Sequence, residues 1–141
     1  MISLDTNVLV RFLVGDDPAQ AVVAQQFMTH EKGVYIAKTT LMELEWVLRS
    51  AYGHEPGAIH AGLCALLGVS NVVVECASQV SQAMSDFAAG IDFADALHAA
   101  SSQAENGLYT FDKKFVNKAK KLGRDVRLAR TGGAEALPVA H

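Results

Sequence analysis

The chain has 141 residues, half of them hydrophobic and 19% charged, with a mean hydropathy of +0.18, which describes one compact and well-filled domain. No apolar stretch is long enough to span a membrane, and the opening "MISLDTN" lacks the basic start and long apolar middle of a secretory signal. Cys64 and Cys76 have no CxxC spacing and no neighbouring His cluster, which argues against zinc and predicts two plain buried thiols in a cytoplasmic protein.

The net charge of −3 at first speaks against a nucleic-acid partner, but it is unevenly spread. Up to Asp112 there are four Lys/Arg against thirteen Asp/Glu, a net of −9. From Lys113 onward there are eight Lys/Arg and only Asp125 and Glu135, a net of +6. Such an asymmetry predicts an acidic site beside a basic surface.

In chain order, "MISLD" reads as a short buried strand and "NVLVRFLVG" as a helix. "DDPAQAVVAQQFMTHEKG" carries an Asp cap, an early Pro and a closing Gly, the start and stop signals of a second helix. "VYIAK" is a strand, and "TTLMELEWVLRSAYG" is a helix with Leu41, Leu44 and Leu48 on one face. "EPGAIHAGLCALLG" reads as helix and "NVVVE" as the third strand. "ASQVSQAMSDFAAG" and "DFADALHAASSQAENG" follow as helices, then "LYTF" as the fourth strand. "DKKFVNKAKKLG" is helical and "DVRLA" is the fifth strand. Short, unalternating apolar strands separated by helices predict a parallel sheet covered on both faces. The expected fold is a three-layer α/β/α sandwich with a five-stranded, mostly parallel sheet over residues 1–130. Residues 131–141, "TGGAEALPVAH", read as a flexible tail.

Ligands of open α/β sheets bind outside the carboxyl ends of the strands. Asp5 ends the first strand and Asp112 the fourth, Glu43 lies in the first turns of the helix after the second, and Asp92 and Asp95 open the helix before the fourth. Each has a second explanation. Asp5, Asp112 and the Asp92/Asp95 pair can cap helices, and "TLME" (Thr40 to Glu43) resembles a capping box. Other acids lack the placement: Glu45 pairs with Arg49 as a solvated surface pair, Asp16 and Asp17 cap the helix at Pro18, and Asp86 and Glu105 lie away from strand ends. Gathered carboxylates repel one another, and a hard cation such as Mg²⁺ or Mn²⁺ relieves that repulsion. The basic segment after Asp112 then faces a polyanion, with Lys113, Lys114, Lys118, Lys120, Lys121 and Arg124 as candidate phosphate contacts.

"LDTNVLVRFL", "TTLMELEWVLRSAYG", "DFADALHAAS" and "LYTFDKKF" resemble, in order and spacing, the four motif blocks of the PIN-domain family, and most closely its VapC toxins. The resemblance runs from Met1 to about Leu128. It implies an acidic quartet of Asp5, Glu43, Asp95 and Asp112, with Asp5, Asp95 and Asp112 holding Mg²⁺ (or Mn²⁺) and Glu43 supporting the site or activating water. Asp92, Thr6, Asn7 and Thr110 match supporting positions; His98 stands where relatives carry an apolar residue and reads as a helical histidine rather than a ligand. The family implies a metal-dependent endoribonuclease that leaves 5′-phosphate and 3′-hydroxyl ends. It also implies a dimeric toxin held inactive by a VapB-like antitoxin. The alternatives are a housekeeping RNA-processing nuclease and a catalytically silent binding module. A phosphatase is disfavoured by Asn7, which stands where that chemistry needs a second Asp, and no phosphate-binding glycine loop is present.

Overall fold

A computed structural model describes residues 1–130; the expected tail, 131–141, lies outside the described residues. The elements are β1 (Ile2–Ser3), α1 (Thr6–Val14), α2 (Pro18–Met28), β2 (Val34–Ile36), α3 (Lys38–Ser50) and α4 (Pro56–Leu67). They continue with β3 (Val72–Val74), α5 (Ala77–Ala88), α6 (Phe93–Ser101), β4 (Leu108–Thr110), α7 (Lys113–Lys121) and β5 (Val126–Leu128). Every expected element is present. The strands are two or three residues long, so helices carry most of the core.

All strand pairs are parallel. β1, β2 and β3 are neighbours in that order, with Ile2 opposite Val34 and Val34 opposite Val72. β4 and β5 form a second ladder, Leu108 opposite Val126. The five strands are therefore two ladders rather than one continuous set of hydrogen-bonded neighbours. Parallel pairing aligns the carboxyl ends within each ladder. Asp5, the start of α3 and Glu75 thus follow the ends of β1, β2 and β3 at one edge of the first ladder.

The core lies where the helices meet the strands: Val34 and Ile36 of β2 pack with Leu41, Leu44 and Leu48 of α3 and Ile59, Leu63 and Leu66 of α4, all buried. The i, i+3 and i+4 spacings put each triplet on one helical face. Phe87 of α5 meets Phe93 of α6 edge-to-face at 5.4 Å, which anchors the helix that carries Asp95.

Three local expectations are corrected. Cys64 and Cys76 are exposed, not buried. Ile59, Leu63 and Leu66 take the inner face of α4, so Cys64 falls outside it, with its Sγ 3.7 Å from His60 Nδ1. Cys76 precedes α5 in the left-handed region at φ 48. Glu45 pairs with Arg49 at 2.9 Å as expected, yet it is buried, because it flanks Leu41, Leu44 and Leu48 on the core-facing side of α3. Thr40–Glu43 is no capping box: the cap of α3 falls three residues earlier, at Ala37, without a side-chain hydrogen bond.

A second ion pair ties the basic end to the core. Asp86 of α5 is 1% exposed, and both of its oxygens accept hydrogen bonds from the Arg124 guanidinium, at 2.9 and 3.0 Å. Arg124→Ala leaves that carboxylate buried and unpaired, a change that costs about 3 kcal/mol. Asp125→Ala removes an exposed pair with Arg127 and costs less than about 1 kcal/mol. Urea unfolding of the two variants checks the ranking, and equal small losses contradict it.

Candidate active site

Three of the candidate acids are helix caps. Asp5 is the N-cap of α1, and its Oδ1 accepts from Thr6 N–H at 2.8 Å. Asp92 caps α6, accepting from Asp95 N–H at 3.3 Å, and Asp112 caps α7, accepting from Phe115 N–H at 3.1 Å. In each, the cap occupies one carboxylate oxygen and leaves the other for solvent or a ligand. Thr110 Oγ1 in turn accepts from the backbone N–H of Asp112 at 3.1 Å.

Asp5 and Glu43, both exposed, share a cleft of about 440 Å³ between α1 and α3, with Thr6, Asn7, Val10, Arg11, Val47, Ala51 and Tyr52. Thr6 is buried in its wall and Asn7 is exposed at its mouth. At the far end, Arg11 donates to Asp16 Oδ1 at 2.7 Å and to the Tyr52 hydroxyl at 3.0 Å, and that hydroxyl donates to Asp16 Oδ2 at 2.9 Å. Sequence reading missed this network: Asp17 alone caps α2, while Asp16 is spent on Arg11 and Tyr52, a partner 36 residues away that no local motif announces.

Asp95 is half-buried on the first turn of α6. Burial pushes its carboxyl above the ordinary range, and the nearby charges of Asp92 and Asp112 push it further, with His98 opposing. Asp92, Asp95 and Asp112 therefore share one electrostatic field. Among the described residues, no three or more His, Cys, Asp or Glu side chains converge closely enough to enclose a metal ion by themselves. The donors nonetheless suit one kind of ion. All are oxygens, and Mg²⁺ keeps several waters and takes one or two carboxylates together with substrate phosphates.

Of the basic candidates, Lys113, Lys114, Lys118, Lys120 and Lys121 are exposed and Arg124 is partly buried. Two are engaged within the protein: Lys118 Nζ donates to Gly90 O at 2.9 Å, and Arg124 holds Asp86. The first fastens α7 to the turn before α6, and the second fastens the turn after α7 to α5.

A family model for the PIN domain matches residues 2–121. The chain therefore belongs to the PIN-domain family of nucleases. Among solved structures it is similar to Mycobacterium tuberculosis VapC20, a Sarcin-Ricin loop cleaving toxin. Identity there is 20%, with 83% of this chain and 94% of that chain covered and a TM-score of 0.43. No curated protein matches the chain.

The raised Asp95 carboxyl fixes a sign. A carboxyl whose folded pKa exceeds its unfolded value favours folding at low pH, and that contribution disappears as pH rises through the folded value. In EDTA, Asp95→Asn should raise the melting temperature by a few degrees at neutral pH, and the advantage should vanish as pH falls through the ordinary carboxylate range near 4. Mg²⁺ should stabilise the wild type more than the variant. Superimposable melting curves with and without Mg²⁺ would favour a purely structural acid.

Proposed function

We propose that the protein is a Mg²⁺- or Mn²⁺-dependent endoribonuclease, the toxin of a VapBC-type toxin–antitoxin pair. One observation carries the reading beyond family membership. A half-buried carboxylate, Asp95, is kept beside Asp92 and Asp112, and the basic helix α7 begins directly after Asp112. Mutual repulsion of that kind is a stability cost that a cation-binding site explains and a helix cap does not require, since Asn caps as well as Asp.

In this reading Asp5, Asp95 and Asp112 hold the ion and Asp92 supports Asp95. A divalent cation held there would supply water activation and charge neutralisation at the phosphodiester. Glu43, across the cleft from Asp5, accepts the proton of the attacking water. The water oxygen bonds to phosphorus as the P–O3′ bond breaks, giving a 5′-phosphate, and the departing oxygen takes up a proton from solvent water to become the 3′-hydroxyl. Thr6, Asn7 and Thr110 hold the acids in place, and the exposed lysines of α7 take phosphates of the RNA.

The family resemblance extends the proposal to a cytoplasmic homodimer, inhibited by a VapB-like antitoxin. No helix among the described residues is long and apolar enough to cross a membrane. The test is cleavage of end-labelled RNA by purified protein. Wild type should cut in Mg²⁺ and stop in EDTA. Asp5→Ala and Asp95→Ala should lose activity by orders of magnitude, and Asp125→Ala should keep it. Full activity of Asp5→Ala in EDTA would overturn the metal-site assignment.

A further inference from the structure

Phe111 is the most exposed large apolar side chain among the described residues, at 71%. Single exposed apolar residues are ordinary and need no function. Three observations set this one apart. It stands immediately before Asp112, the acid that shares a field with Asp95. Its backbone is held on both sides: Thr110 O accepts from Ala129 N–H at 2.7 Å, Asp112 N–H donates to Thr110 Oγ1, and Asp112 caps α7. The ring is thus presented to solvent from a fixed base.

The third observation is electrostatic. Lys113 and Lys114, both exposed, occupy the first turn of α7, where the helix dipole already places positive charge and where acids are the stabilising choice. Two lysines there cost stability and concentrate positive potential beside Phe111. An aromatic face next to lysines is how proteins hold single-stranded nucleic acid, with bases stacked on the ring and phosphates on the cations.

We infer that Phe111 is a base-stacking platform for the RNA strand and that Lys113 and Lys114 grip the adjoining phosphates. A base within a duplex has both faces stacked and offers none to Phe111. The inference rests on the ribonuclease reading and deepens it by naming the side chain that takes a base.

The probe is a fluorescein-labelled single-stranded oligoribonucleotide of mixed sequence, bound to the full chain in EDTA so that it is not cut. A blunt duplex of the same sequence serves alongside. Phe111→Ala and Phe111→Leu should weaken single-strand binding by about five- to 150-fold, while Phe111→Tyr restores it. The dependence of affinity on salt should be unchanged in Phe111→Ala and shallower in Lys113→Ala/Lys114→Ala, by a slope of about 0.7 per lost contact. Duplex binding should be indifferent to Phe111. Wild-type affinity in Phe111→Leu would overturn the platform, and so would equal losses on single strand and duplex. A marked fall in the melting temperature of Phe111→Ala would overturn it too, because the ring would then be packing against protein. If the platform alone fails, wild type still binds and cuts RNA; if wild type does neither, the ribonuclease reading falls.

Discussion

Acids at helix starts, where parallel strands end, are the constraint on which the rest of this structure depends. Parallel strands send the chain out of one edge of each ladder, and the helices that follow begin there with exposed backbone N–H groups. Aspartate satisfies those groups well, so Asp5 and Asp112 arise where strands end. Asp92 does the same for α6 and brings Asp95 with it, one turn inside. Capping alone accounts for each acid taken singly. It does not account for a half-buried Asp95 whose carboxyl is pushed up by burial and further by the charges of Asp92 and Asp112.

The molecule spends its other charges differently. Asp86 and Glu45 are more deeply buried than any acid of the site, yet each has an arginine, and neither is left to face another carboxylate. A buried charge with a partner is tolerable; one without is not. The contrast separates scaffold acids from site acids better than burial does. It also divides the basic segment. Arg124, just past α7, holds Asp86 of α5, and Lys118 of α7 donates to Gly90 O, so this end of the chain is fastened to α5 and the turn that follows it. Lys113, Lys114, Lys120 and Lys121 remain exposed.

Much of this was legible in the sequence because it is local. Strand ends, the Asp17–Pro18 start and the Leu41, Leu44 and Leu48 stripe follow from spacing, and so do the caps at Asp5, Asp92 and Asp112. What was not legible depends on partners distant in the chain. Asp86 meets Arg124 across 38 residues, and Asp16 is claimed by Tyr52 across 36. Glu45 was placed with the right partner on the wrong side of the surface, since an i, i+4 pair looks the same whether its helix turns it outward or inward. Cys64 shows the converse: an apolar-looking residue one step off the Ile59, Leu63 and Leu66 face is exposed. Continuity of the sheet is likewise not encoded in any one strand, and strands of two or three residues leave it to the helices to hold the two ladders.

The central claim is that the carboxylates at this edge form a divalent-cation site. A crystal soaked in Mn²⁺ and measured for anomalous scattering tests it directly. The account predicts a peak at about 2.1 Å from carboxylate oxygens of Asp95 and of Asp5 or Asp112, with water completing the octahedron. A well-ordered crystal with Mn²⁺ bound elsewhere, or with these acids hydrogen-bonded only to their own helices, would contradict it.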